Sequence, residues 1–320
     1  MQNLSLEVNK MNAPLVSSSR GYLYLCVAVF FWGGSASVAK YLFTTRYDTL
    51  IITQTRSSLS FVLLAAYFAL RDRSVFRIRV RDLYRFILIG VIGVAATNFS
   101  YYFTVREATV ATAILIQYTA PAFVMIYAVA ISKEEELNGL KVIALLLALA
   151  GSYLAVTGGT VGEIKLSGWS LLSGIASSLC FAFMLLMSKS VLRRYSVATM
   201  LTYAFGFAAL FWLFVNPPWE IAVKGYTLAD WGIFWVFAII SILIPHAFFT
   251  MSLSRLEATS AGIAGTLEPI VAIVIAYLAL GETLNGVQAL GGVAVVGAVL
   301  LLQLRHDQWK RLVKGGANAK

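Results

Sequence analysis

The sequence predicts an all-α integral membrane protein whose ten transmembrane helices form two inverted five-helix repeats, and three observations carry that prediction. First, only 12% of the 320 residues are charged while 59% are hydrophobic, against the roughly 25% charge of an ordinary soluble domain. So little charge cannot cover a soluble surface, and a mean hydropathy of +0.80 fits helices whose outer faces meet lipid. Second, apolar runs long enough to cross a core of about 30 Å at about 1.5 Å per residue recur along the whole chain. Third, landmarks of the first half return in order in the second.

The runs lie near 21–43, 50–70, 82–104, 108–131, 138–157, 168–192, 197–215, 231–253, 259–280 and 286–304. Most connections are short. Only the stretch from Asn216, Pro217 and Pro218 to Asp230 has room for an interfacial segment, and none has room for a soluble catalytic domain. The expected organisation is a cytoplasmic tail over 1–20, a first repeat over 21–157, a second over 158–304 and a basic cytoplasmic tail over 305–320.

Glu107, Ala108 and Thr109 recur as Glu257, Ala258 and Thr259; Pro121 recurs as Pro269; Leu137, Asn138 and Gly139 recur as Leu284, Asn285 and Gly286; Gly151 recurs as Gly297. An ordered series at nearly constant offset marks a duplication. Each half holds five spans, an odd number, so the second must enter the membrane from the opposite side. Inverted repeats of this kind build many secondary transporters, with the site at the midplane between them.

Basic residues divide by side, as the retention of positive charge in cytoplasmic loops requires. Sixteen fall in the tails and alternate loops, with Arg71, Arg73, Arg77, Arg79 and Arg81 the densest group, against four (Arg46, Arg106, Lys165, Lys224) on the other side. Both termini are therefore expected in the cytoplasm, and the chain in a cell inner membrane. The same distribution argues against nucleic acid as a partner, since no basic stripe with interleaved aromatics explains the net charge of +10.

Cys26 and Cys180, each alone in an apolar run, support neither a disulfide nor a metal site and read as packing residues. The polar first twenty residues show no removable signal peptide pattern. Gly-x-Ser-x-Gly with a suitable His, His-Glu-x-x-His and the phosphate-binding Gly-x-x-x-x-Gly-Lys-Ser/Thr motif are all missing, so neither an intramembrane hydrolase nor an ATP-driven pump is supported, and no cofactor is expected.

The chain resembles the drug/metabolite transporter superfamily, specifically its EamA-type members with two five-helix repeats. The likeness covers about 20–305 and rests on Gln54-Thr55-Arg56-Ser57-Ser58-Leu59, on the Pro121 helix followed by Lys133-Glu134-Glu135, and on Leu267-Glu268-Pro269 running to Leu280-Gly281-Glu282. It implies export or exchange of amino acids, sugars or other metabolites. The first repeat carries Ala120-Pro121 where the second carries Glu268-Pro269, so only Glu268 can supply a carboxylate there.

Charges inside hydrocarbon cost at least about 2.5–3.5 kcal/mol each, so they face a cavity or a partner. Arg56 lies on a polar stripe with Thr49, Thr53 and Ser60; it reads either as an anchor for an anionic substrate group or as a structural cation. Glu268 sits on a face of small residues, Ala261, Gly265 and Ala272, which lets a helix or ligand approach the backbone. Pro269 removes a backbone hydrogen bond beside it and frees a carbonyl. Glu268 is the proton-coupling candidate, able also to hold a substrate amine, with the alternative of neutralising Arg56.

His246 after Pro245 reads as a packing histidine or a proton relay. Asn98, Tyr101, Tyr102, Gln117 and Tyr118, with Trp32 beside Gly33 and Gly34, complete the candidate substrate-binding set. Lys40 and Lys189 read as snorkelling or gate residues, and Arg106/Glu107 and Arg255/Glu257 as gate pairs. Ala148/Ser152 and Ala294/Ala298 are small-xxx-small pairs for packing within the chain or across a homodimer.

These readings point to a secondary active transporter, an exporter or exchanger of small organic metabolites such as amino acids, working by alternating access, with a small-molecule substrate and the lipid bilayer as partners. A channel, a lipid scramblase and an intramembrane enzyme are the rivals. The charge asymmetry makes a direct prediction in a Cys26→Ser, Cys180→Ser background. Single cysteines in 71–81 and 305–314 should resist impermeant thiol reagents added outside sealed cells, while one in 158–165 should react; equal labelling at all three would refute the expected topology.

Overall fold

The computed structural model describes residues 18–45, 47–160, 167–280 and 285–317. Lys10, Arg46, Lys165, Gly281, Glu282, Leu284 and Lys320 lie outside them, as does the Lys40 side chain. The first repeat consists of α1 (Ser18–Thr45), α2 (Thr49–Arg71), α3 (Val80–Glu107), α4 (Val110–Ile131) and α5 (Gly139–Thr157). The second consists of α6 (Gly168–Leu192), α7 (Val197–Val215), α8 (Leu228–Leu253), α9 (Ala258–Gly265 continuing as Glu268–Leu280) and α10 (Gly286–Ala317). Among the described residues there is no strand, and nine helices are long and apolar enough to cross a membrane; α1 adds a further 28 residues. A short helix, Pro218–Ala222, fills the one long connection.

The helices start where side chains cap free amides. Asp48, Thr109, Asn138, Ser167, Ser196 and Thr227 each accept a backbone N–H at the start of α2, α4, α5, α6, α7 and α8, as short polar side chains at helix starts do. Helix α10 continues past the expected end of its span at 304 to Ala317, so most of the basic tail is helical.

Packing is organised across the repeats. The main partners are α1 with α8 and α9, α6 with α3 and α4, α2 with α7, α4 with α9, and α5 with α10. Exchanging each helix for its equivalent five places on maps this set onto itself, as expected for two interlocked copies related by a two-fold axis. With five helices per copy, the copies run in opposite directions through the membrane.

Close crossings fall at glycines. A methyl group on Gly90 would lie 2.6 Å from the Ala204 carbonyl oxygen, joining α3 to α7; one on Gly33 would lie 2.9 Å from the Glu268 carbonyl oxygen, joining α1 to α9. The Gly33-Gly34 pair thus serves close approach at Gly33. Gly291 is tighter still, with the Ala155 amide nitrogen at 2.3 Å and the Gly151 carbonyl at 2.6 Å from an added methyl. This seats α10 on α5 within one chain, where a methyl on Gly151 would also lie 3.0 Å from the Ala294 methyl. The outward faces are apolar, with Leu70, Phe214 and Leu278 at 91%, 81% and 75% exposure, as lipid contact requires.

Several expectations change. Lys189 does not snorkel: its Nζ donates to the carbonyls of Leu253 (2.7 Å) and Leu256 at the end of α8. Arg255 does not pair with Glu257 but lies over the Tyr24 ring and bonds the Met251 carbonyl, and Glu257 pairs with Lys141 at 2.9 Å. Arg106 pairs with adjacent Glu107 at 3.0 Å, both partly exposed, a contact worth about 0–1 kcal/mol. Cys26 lies on the outer surface, not in the core.

At the Gly291 crossing, overpacking forces two backbones apart, so Gly291→Val should cost about 3 kcal/mol and lower the thermal midpoint in detergent. Gly286→Ala meets open space and should leave the midpoint unchanged. A Gly291→Val protein as stable as the parent would contradict the packing described.

Candidate functional site

Three prolines shape the interior, because a proline has no N–H to give the carbonyl four residues earlier. Pro245 withholds it from Ser241, Pro269 from Gly265 and Pro121 from Gln117. The chain responds with irregular helix. Residues Ile239–Leu243 in α8 take the wide π-helical form, and the repeat-equivalent Ile89–Ala96 in α3 does the same although no proline follows it. Helices α4 and α9 each break for two residues, Tyr118–Thr119 and Thr266–Leu267. Interruptions of this kind are tolerated at membrane depth only where protein or a cavity receives them.

They surround a cavity of about 80 Å³, smaller than the roughly 300–1,000 Å³ of an open small-molecule site. Its wall contains all nine residues singled out in the sequence: Trp32, Arg56, Asn98, Tyr101, Tyr102, Gln117, Tyr118, His246 and Glu268. Helices α1, α2, α3, α4, α8 and α9 each contribute, so neither repeat forms the site alone.

Arg56 is 3% exposed. One terminal nitrogen donates to the Tyr102 hydroxyl, and the other donates to the Ser241 carbonyl at 2.7 Å, the group to which Pro245 has no N–H to give. Its guanidinium carbon lies 4.9 Å from the Tyr102 ring centre and 5.1 Å from that of Phe237, close enough for cation–π attraction. Among the described residues its Nε has no hydrogen-bond partner. Among the described residues no carboxylate lies within salt-bridge distance of Arg56, so Glu268 is not its structural counter-ion. The stripe Thr49, Thr53, Arg56 and Ser60 is buried throughout.

Glu268 opens the second half of α9, and its Oε2 accepts a 2.9 Å hydrogen bond from the Tyr118 hydroxyl at the break in α4. The two breaks therefore meet. Gly262 and Pro121 support the contact, since a methyl on Gly262 would lie 3.4 Å from the proline ring. Trp32 stands edge-on to His246 at 5.4 Å between ring centres and tilts against Phe249 at 5.1 Å, while Asn98 donates to the Val94 carbonyl at 2.8 Å inside the wide segment of α3. Tyr101 packs against Tyr102 at 5.4 Å.

Sequence reasoning missed Ser35, Thr97, Phe181, Met184 and Ser241 in the wall. Ser241 had a readable signal, its place four residues before Pro245. The others carry none, because their membership depends on how α1, α3 and α6 are turned.

At the end of the bundle bearing loop 71–81, Lys141 bonds Glu135 (3.1 Å) and Glu257 (2.9 Å), and Glu135 accepts the Thr259 amide at 3.2 Å. Arg193 pairs with Glu134 at 2.8 Å. The segment after α4 is thus tied both to the start of α9 and to the end of α6.

The EamA-like transporter family model matches the chain twice, over residues 19–157 and 168–304. An uncharacterized inner membrane transporter of Salmonella typhimurium, YicL, is 22% identical over 90% of this chain and 96% of its own length. The threonine/homoserine exporter RhtA of Escherichia coli K12 is 26% identical over 86% of this chain and 88% of its own. A crystal structure 18% identical in sequence matches the fold with a TM-score of 0.74, covering 92% of this chain and 99% of that one. With two family matches spanning its two sets of five helices, the chain belongs to the EamA-like transporter family and is a multi-pass membrane transporter.

Proposed function

We propose that the protein is a secondary active transporter of small carboxylate-bearing metabolites, amino acids foremost, that works by alternating access from a cell inner membrane with both termini in the cytoplasm. The observation that carries the proposal is a single interior cavity with a basic and an acidic side chain held on separate walls without pairing. Arg56 belongs to the α2, α3 and α8 side and Glu268 to the α4 and α9 side. A buried cation without a carboxylate partner is costly, and a substrate carboxylate at Arg56 offsets that cost. The relatives named as threonine/homoserine exporters support amino acids as the class and export as the direction.

The ties among Glu135, Lys141, Glu257 and Thr259 act as the cytoplasmic gate in this reading, since they join the first repeat to the second at one end of the cavity's helices. Opening requires their rupture, and the breaks in α4 and α9 supply the bending points. Glu268 is the coupling residue: it takes up or releases a proton as the cavity changes sides. As a multi-pass carrier the protein needs no cofactor and performs no covalent chemistry.

Two variants test these roles in proteoliposomes. Arg56 serves two acceptors at once with its terminal nitrogens, a fork that an ammonium cannot reproduce. Both Arg56→Gln and Arg56→Lys should therefore weaken carboxylate-substrate binding by about tenfold to a hundredfold, the range of a lost charge-assisted hydrogen bond. Normal transport by a well-folded Arg56→Gln protein would remove Arg56 from the site.

Glu268→Gln keeps an oxygen that can accept the Tyr118 hydroxyl but cannot release a proton. It should abolish gradient-driven accumulation while leaving substrate-for-substrate exchange measurable. Full accumulation by Glu268→Gln would rule out the coupling role, and equal loss of both modes would reassign the residue to structure.

A further inference from the structure

Gly265 and Gln117 occupy equivalent places in the two repeats, each four residues before a proline, Pro269 and Pro121. Neither proline has an N–H to give these carbonyls, so each lacks its regular helical donor. Leaving a carbonyl unsatisfied in hydrocarbon costs several kcal/mol, so two that lose their regular donor at equivalent breaks are placed to accept from another group. Both residues lie in the cavity wall with Glu268, and Tyr118, next to Gln117, bonds the Glu268 carboxylate at 2.9 Å.

Gly265 adds a second, independent observation. It is buried, it has no side chain, and so the wall it forms is backbone. A methyl group built on it would meet nothing within 4 Å. A buried glycine facing open space is not there for helix packing, in contrast to Gly33, Gly90 and Gly291, where the added methyl collides at 3 Å or less. The space it preserves belongs to the cavity.

We infer that the carbonyls of Gly265 and Gln117 and the Glu268 carboxylate form a cradle for a primary ammonium group, with Gly265 kept side-chain-free to admit it. A –NH3+ has three donors and no acceptor, which suits three acceptors of this kind, whereas a carboxylate would meet only like charge and lone pairs there. The cradle rests on the carrier reading above and deepens it: the carboxylate of an α-amino acid goes to Arg56 and its amine to the α4 and α9 breaks. It also sets specificity. A 2-hydroxy acid brings one donor and no charge, and an N,N-dimethyl amino acid has one N–H and added bulk.

The test is ligand-induced thermal stabilisation of the purified full-length protein. It compares the best-binding member of the twenty L-α-amino acids with its 2-hydroxy and N,N-dimethyl analogues, on the parent, Gly265→Ala and Pro269→Ala. The parent should bind the amino acid about tenfold to a hundredfold more tightly than either analogue. Gly265→Ala, which has room to fold, should erase that preference while the 2-hydroxy acid, still held at Arg56, binds as before. Pro269→Ala restores an N–H directed at the Gly265 carbonyl without filling space, and should also reduce the preference.

Equal binding of amino acid and hydroxy acid by the parent would overturn the cradle and leave the carboxylate site at Arg56 standing. Loss of the preference in Gly265→Ala but not in Pro269→Ala would overturn the carbonyl's part, making Gly265 a matter of space alone. Binding of neither ligand by the parent, checked at millimolar concentration, would overturn the carrier reading and the cradle together.

Discussion

In hydrocarbon every backbone carbonyl needs a donor, and three prolines in this chain withhold one from Gln117, Ser241 and Gly265. That constraint organises the interior. A freed carbonyl facing lipid would be intolerable at several kcal/mol, so α4, α8 and α9 are turned with their irregular segments inward, and the cavity lies where they converge. Ser241 is satisfied by Arg56 at 2.7 Å, so the carbonyl that Pro245 leaves vacant and the buried cation of α2 stabilise one another. Among the described residues the arrangement places a guanidinium in the membrane interior without a carboxylate beside it, and leaves its Nε without a partner.

The two-fold relation between the repeats explains why the site is asymmetric in chemistry though symmetric in scaffold. Both repeats supply a broken helix at a proline, in α4 and α9, and both supply a wide-turn segment, in α3 and α8. Only the second break opens on a carboxylate, since Ala120 stands where Glu268 does, and only α8 has a proline after its wide segment. The repeats share a break at each equivalent place, while Glu268 and Pro245, present in the second repeat alone, make one side acidic and free the Ser241 carbonyl for Arg56 on the other. A carrier that must expose one site to two sides in turn needs this combination, with equivalent hinges for movement and unlike walls for a polar ligand.

Much of this was legible in the sequence because membrane helices are written in long apolar runs with little competing signal. The ten spans, the repeat offset and the polar stripe of α2 all follow from period and composition, and all nine candidate residues line one cavity because charge, amide and phenol groups at mid-span have few other tolerable places. What was not legible depends on rotation and on the third dimension. Lys189 looks like a snorkelling lysine until α8 is seen to end against it. Glu257 finds Lys141, not the nearby Arg255, across a fold of the chain that no local spacing reports. Nothing in the sequence sets Gly291 or Gly33 apart from the other membrane glycines, and only the crossings show that a single methyl would meet backbone. Phe181 and Met184 enter the wall by the turn of α6 alone.

The central claim is that this cavity carries a substrate through alternating access, and counterflow measures that most directly. Purified protein in proteoliposomes preloaded with an unlabelled L-α-amino acid should take up the labelled compound faster than empty vesicles do, with a rate that saturates as external concentration rises. Uptake that is linear in concentration and indifferent to the preload, for every amino acid tried, would contradict a carrier and describe a pore.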